Sequence, residues 1–195
     1  HINIHVMDAP KIDQDEDDEV VEFIDKYISC AIPDKDEYPD LNALVNRVQT
    51  HRHTKTCRKK KGTTCRFHFP WPPSEKTRIV RGENLDEAKY KASKKKVDRV
   101  INEITSITDL TDVTFDEILT SCQISEDEYN EALEYIQNKV TIIYQRKPTE
   151  INTGPYNTVI LSLLKSNMNI QFVTGIYGLL MYLASYMCKP EHTMS

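Results

Sequence analysis

The spacing of apolar positions along the chain changes several times, and each change marks an element. Residues 1–7, His-Ile-Asn-Ile-His-Val-Met, alternate polar and apolar as a half-buried strand does. An acidic run over 13–19 leads into Val20, Val21, Phe23, Ile24, Tyr27 and Ile28, a helical stripe whose acidic first turn complements the helix dipole. Residues 31–40, with Pro33 and Pro39, read as a linker, and Leu41, Leu44, Val45 and Val48 give one apolar side to a short helix over 41–49. Residues 85–104 predict a long amphipathic helix, with Leu85, Ala88, Ala92, Val97, Val100, Ile101 and Ile104 inward and lysines outward. Two capping boxes, Thr114-Phe-Asp-Glu117 and Ser125-Glu-Asp-Glu128, open the next helices, the second of which carries Tyr129, Ala132, Leu133 and Ile136. β-Branched residues predict a strand over 140–145, and alternation predicts another over 169–174. Helices are expected over 156–165 and 177–189. The class is α+β: a central antiparallel sheet flanked by helices.

One stretch breaks the pattern. Residues 50–73 have no period, yet concentrate His, Cys, Arg, Lys, Phe and Pro. Apolar burial cannot order such a segment, so another source of folding energy is expected. His51, His53, Cys57, Cys65 and His68 offer five nitrogen or sulfur ligands within eighteen residues. Zinc takes four such ligands in a tetrahedron, and metal binding supplies folding energy directly. His53 and Cys57 are four apart and a short loop returns Cys65, with His51 or His68 completing the set. A small zinc-binding insertion is therefore expected over 50–80. Cys30, Cys122 and Cys188 lie in apolar helical patterns and read as core residues. Five scattered cysteines do not suggest a disulfide framework.

Charge sharpens this view. The 195 residues carry 25 Lys+Arg and 30 Asp+Glu, a formal net charge of −5 that argues mildly against a polyanion partner. By segment, however, residues 1–50 carry net −9, residues 51–99 net +11 and residues 100–195 net −7. The basic block coincides with the Cys/His segment. Within it, Arg58, Lys59, Lys60, Lys61 and Arg66 interleave with Phe67, Phe69 and Trp71, a mixture that contacts phosphates and stacks on unpaired bases. Lys89, Lys91 and Lys94, Lys95, Lys96 extend the positive field. Packing against Pro70, Pro72 and Pro73 is the competing role for the aromatics. No apolar stretch is long enough to span a bilayer, and no membrane partner is expected. Tyr182 and Tyr186, four apart, share one face of the last helix and on spacing alone read as core or interface residues.

Taken together, several segments resemble one family. Val48-Gln-Thr-His-Arg-His-Thr-Lys-Thr-Cys57 and Cys65-Arg-Phe-His-Phe-Pro70 look like the cysteine–histidine segment of Helitron-type transposon proteins, in which a rolling-circle replication initiator is fused to a DNA helicase. Asn167-Met-Asn-Ile-Gln171-Phe-Val and Tyr182-Leu-Ala-Ser-Tyr186-Met-Cys-Lys189 resemble that family's two-tyrosine motif. Asp8-Ala-Pro10 and residues 19–27 are similar to the stretch after its histidine motif. The resemblance implies a metal-dependent endonuclease that nicks single-stranded DNA through a tyrosine, leaving a 5′-phosphotyrosine and a free 3′-hydroxyl. It makes Tyr182 and Tyr186 the nucleophile candidates, with Lys189 stabilising charge. His1 takes the place of the motif's second histidine for a catalytic Mg2+ or Mn2+, with Gln171 a weaker ligand, and the first histidine is expected upstream.

On this reading residues 1–49 begin a truncated nuclease domain, 50–80 form the zinc-binding basic insertion, and 81–195 hold the helical part and the tyrosine motif. The partners implied are single-stranded DNA and a helicase domain downstream, because no phosphate-binding glycine loop occurs here. The implied location is nuclear. The alternative is a catalytically inactive, zinc-stabilised nucleic-acid-binding module derived from such an element.

Overall fold

The computed structural model describes residues 7–54, 57, 65–82 and 86–188, and of Ile176, Tyr182, Ser185, Tyr186 and Met187 the backbone alone. Among these residues the chain is mixed α+β, with seven α-helices and one two-stranded antiparallel sheet. The expected strand over 1–7 lies outside the described residues apart from Met7.

The helices follow the apolar spacing. Helix α1 (Asp17–Tyr27) opens on Asp17, Asp18 and Glu19 and buries Val20 and Ile24. Helix α2 (Pro39–Leu44) starts with Pro39, whose fixed φ suits a first turn, and runs into one widened turn over Val45–Gln49. Helix α3 (Glu87–Ser106) is capped by the Asp86 carboxylate, which accepts from the Lys89 amide, and buries Val97, Val100 and Ile104. Helices α4 (Phe115–Ser121) and α5 (Glu126–Tyr135) both begin with complete capping boxes, Thr114 with Glu117 and Ser125 with Glu128. Helix α6 (Thr158–Leu164) is capped by Asn157, and α7 (Ile176–Met187) is the last.

The sheet is short but separates two cores. Strand β1 (Arg78–Val80) pairs antiparallel with β2 (Thr141–Ile143), Ile79 opposite Ile142 and Arg78 opposite Ile143. Successive strand residues point to opposite faces. Val80 and Ile143 accordingly join the core of α3, α4 and α5, with Leu119, Tyr129 and Leu133. Ile79 and Ile142 face α1, packing with Val20, Ile24, Ile28 and Tyr144. A third cluster joins Val45 to Tyr156 and Leu161.

Two expectations need correction. Residues 169–174 do alternate in burial, with Ile170 and Phe172 packed inward, but no strand forms there. The Ile170 amide reaches the Pro155 carbonyl at only 3.5 Å, and Phe172 N–H meets the Tyr144 hydroxyl instead of a backbone, so the segment is extended without a ladder. Cys188 is exposed, whereas Cys30 and Cys122 are buried as expected. Strand β1 was not anticipated, since Arg-Ile-Val is too short to show alternation.

The 50–80 segment is stitched into the rest. Ser74 and Arg146 exchange backbone hydrogen bonds, the Trp71 amide donates to the Ile151 carbonyl, and the buried Tyr129 hydroxyl donates to the Pro73 carbonyl at 2.8 Å. Its described residues are held by polar pairing with distant parts of the chain, 56 positions away for Tyr129 and Pro73 and further for the others, not by their own apolar spacing.

Candidate metal centre

The approach to the centre is built around Gln49. The widened turn after α2 leaves its side chain 2% exposed, a position that a polar group holds only when its hydrogen bonds are met. Its Nε2 donates toward the carbonyls of Gly154, Pro155 and Met168 at 3.3, 3.1 and 2.7 Å, and its Oε1 accepts from the Met168 amide at 3.2 Å. Alongside, Thr50 forms an antiparallel bridge with Thr153, and the His51 amide donates to the Asn152 carbonyl at 2.7 Å. Gly154 allows this approach, since a Cβ there would stand 3.2 Å from Gln49 Nε2. The backbone of His51 is thereby pinned to the later chain before any ligand is considered.

His51, His53, Cys57 and Cys65 converge. Their ligand atoms all lie within 4.8 Å of one another, and the group could hold a metal ion. Cys65 Sγ is 3.3 Å from His51 Nε2, and Cys57 Sγ is 3.5 Å from His53 Nδ1. Both sulfurs are buried and receive backbone N–H groups, Cys57 from Thr54 at 3.3 Å and Cys65 from Phe67 at 3.4 Å. The Arg66 amide, donating to the Cys57 carbonyl at 2.8 Å, ties the two cysteine turns together. Burial, with His53 beside it, pushes the His51 imidazole below its usual pKa, so the neutral ring that a metal requires is favoured. The His51 ring also stacks on Phe69, 4.7 Å between centroids and 11° between planes. His68, the competing fourth ligand, is exposed in the left-handed region at φ 63° and is not among the four.

The aromatic residues beside the centre differ in what they present. Trp71 is half-buried, with its indole N–H enclosed and the Arg146 guanidinium 5.5 Å from its ring. Phe69 is half-buried under His51. Phe67 is 46% exposed, with the exposed Arg66 guanidinium 4.5 Å from its ring centre. Arg58, Lys59, Lys60 and Lys61 lie outside the described residues.

The lysines of α3 turn out to be largely neutralised. Lys89 pairs with Glu131, Lys91 with Glu87, Lys94 with Asp98 and Lys96 with Glu128, leaving Lys95 without an ion pair among the described residues. The sequence spacing already allowed the Glu87–Lys91 and Lys94–Asp98 pairs, four apart on one helix. The basic field is therefore narrower than the linear charge count implies.

Tyr182 and Tyr186 lie one turn apart on α7, but their side chains, like Lys189 and His1, are outside the described residues. Gln171 is exposed, its Nε2 3.4 Å from the Asn169 side-chain oxygen. A second grouping, Glu75, Asp116 and Glu126, is fully exposed. Among the buried polar residues, Gln49 and Arg146 escaped the sequence reading. Gln49 looked like the end of an amphipathic turn. Arg146, 3% exposed, donates to Cys30 Sγ at 3.0 Å and to the Thr153 carbonyl at 3.2 Å from behind the centre. Arg146 sits in no motif, and Gln49 lies within the Cys/His string without standing out there, so only the tertiary pairing reveals either.

No family model matches this chain, and no curated protein or solved structure matches it.

Proposed function

We propose that the chain is part of a Helitron-type rolling-circle nuclease, normally joined to a DNA helicase, that acts on single-stranded DNA in the nucleus. The observation that carries this is the convergence of His51, His53, Cys57 and Cys65, the same segment on which the sequence resemblance rests. Zinc is the ion assigned to them. Metal–sulfur bonds of about 2.3 Å and metal–nitrogen bonds of about 2.1 Å give a tetrahedron sulfur–nitrogen edges of about 3.6 Å. The two sulfur–nitrogen separations of 3.3 and 3.5 Å are compatible with that. When bound, zinc supplies folding energy to a stretch that lacks apolar periodicity.

In this reading Tyr182 or Tyr186 attacks the scissile phosphate. The phenol gives up its proton as its oxygen bonds to phosphorus, the bond from phosphorus to the 3′ oxygen breaks, and the departing oxygen takes a proton to become a 3′-hydroxyl. A phenol has a pKa of about 10, so the attack needs positive charge beside the phosphoryl oxygens. Lys189 is the residue of this chain assigned to that role, and His1 with Gln171 belongs to the accompanying Mg2+ or Mn2+ site.

The test is to incubate the protein, carried in its parent chain, with an internally labelled single-stranded oligonucleotide and Mn2+, and to look for a protein–DNA adduct that survives detergent. The reading expects an adduct that disappears when Tyr182→Phe and Tyr186→Phe are combined, and about one equivalent of zinc on the purified protein. An adduct that persists in the double variant overturns it. Zinc and strand binding without any adduct would instead favour the catalytically inactive binding module.

A further inference from the structure

We infer that Phe67, roofed by Arg66, is the platform on which an unpaired DNA base stacks, and that Trp71 is not. The inference rests on the single-stranded DNA reading above and deepens it by naming the contact. Three aromatics follow the second cysteine at alternate positions, and on sequence alone any of them could serve. The fold separates them. Trp71 faces inward, with its N–H enclosed and Arg146 behind its ring, and Phe69 is covered by the His51 imidazole. Phe67 alone of the three is exposed, at 46%. A flat exposed ring beside a cation and next to the Cys/His group matches a nucleobase, whose π-face stacks without regard to sequence.

Phe67 is also held stiffly for a surface residue. Its amide donates to Cys65 Sγ, and its ring meets the edge of His51 at 5.6 Å between centroids. Two residues of the metal centre thus fix both ends of the platform, so little side-chain entropy is lost when a base arrives. Arg66 over the ring at 4.5 Å adds a cation–π contact and a guanidinium that can reach the adjoining phosphate. An exposed aromatic for shape and a neighbouring cation for charge make a complete contact for one nucleotide.

Fluorescence anisotropy with the zinc-loaded protein tests this, using a 5′-labelled oligo-thymidine strand and a strand of equal length made of abasic spacers. Wild type is expected to prefer the strand with bases. Phe67→Ala and Phe67→Leu are expected to weaken binding to oligo-thymidine by about tenfold to a hundredfold, with little change on the abasic strand, and Phe67→Trp or Phe67→Tyr to restore it. The dependence on salt should be unaltered by Phe67→Ala and reduced by about one phosphate contact in Arg66→Gln. Zinc content measured on each variant separates lost stacking from a lost fold. If Phe67→Ala and Phe67→Leu retain zinc and bind oligo-thymidine as wild type does, or lose equally on both strands, the inference is overturned. It also falls if Trp71→Phe takes the loss instead. A wild-type protein that binds neither strand overturns the single-stranded DNA reading together with it.

Discussion

The layer of α3, α4 and α5 and the segment holding the Cys/His group lie on opposite sides of β1 in the sequence, yet they are ordered by different means. In the helical layer, Val97, Val100, Ile104, Leu119 and Leu133 interlock at helical spacing, and the ends are closed by Asp86, Thr114 and Ser125. In the Cys/His segment short-range bonds about the two cysteines are joined by long-range ones. Gln49 spans to Met168, His51 to Asn152, Trp71 to Ile151, and four ligand side chains gather at one point. The first arrangement stores its stability in apolar area, which is tolerant of detail. The second stores it in directed bonds, each of which leaves a buried polar group unsatisfied when broken. A metal site also needs directed groups held on a rigid support, and the Cys/His group lies in the second region.

The largest effect that could break this contrast is loss of the zinc proposed for the Cys/His group. Chelation, or Cys65→Ala, is expected to abolish hydrogen-exchange protection at the His51, Trp71 and Gly154 amides while leaving α3 and α5 protected, because structural zinc is worth roughly 10 kcal/mol in small zinc modules. The amides concerned are bonded to Asn152, Ile151 and Gln49 respectively. If the Val97, Val100 and Leu133 amides lose protection in parallel, the two regions form one cooperative unit and the contrast fails.

A matched pair of substitutions sharpens it further. Leu133, fully buried, should lose about 3 kcal/mol as Leu133→Ala but less than about 1.5 kcal/mol as the volume-conserving Leu133→Met. Gln49→Leu also conserves volume, yet it strips the Gly154, Pro155 and Met168 carbonyls of their donor and the Met168 amide of its acceptor. Each unsatisfied buried group costs about 1–3 kcal/mol, so this swap is expected to cost at least as much as the Leu133 cavity. Denaturant titration of the three variants decides it. A Gln49→Leu protein as stable as Leu133→Met would mean that the segment is held by packing after all.

The same contrast explains how far the fold was legible. Helices α1, α3, α4, α5, α6 and α7 follow from apolar stripes and capping boxes because those signals are local, and the structure places their ends within a few residues of expectation. The alternation at 169–174 was a true signal of one-sided burial, but alternation does not say whether a neighbouring strand exists. The four converging side chains were visible as residue types, whereas the place of His51 among them, and not of His68, goes with a backbone pairing to Asn152 about a hundred residues away. The linear charge count misled in α3 because Glu128 and Glu131, which pair with Lys96 and Lys89, come from another helix.

The smallest effects lie at the helix caps, and they bear on the helical layer alone. Thr114→Ala and Ser125→Ala should each cost about 1 kcal/mol, since the hydroxyls accept from the Glu117 and Glu128 amides. The reciprocal carboxylates add a pH dependence. The Thr114 backbone N–H, then its hydroxyl, holds the Glu117 carboxyl below its ordinary value of 4.5, and the Ser125 backbone N–H, then Lys96, does the same for Glu128. Between the lowered values and 4.5 the unfolded chain carries these protons and the native chain does not, so native stability rises with pH across that window. The contribution is present above 4.5 and is lost as pH falls through the lowered values. Glu117→Gln with Glu128→Gln should therefore flatten the acid limb of a thermal-stability profile relative to wild type. Chelated and zinc-supplemented protein should show that flattening equally, because the two carboxylates bond to Thr114 and Ser125 and not to the Cys/His group. A flattening seen only with zinc bound would tie the caps to the metal centre and dissolve the separation between the two regions.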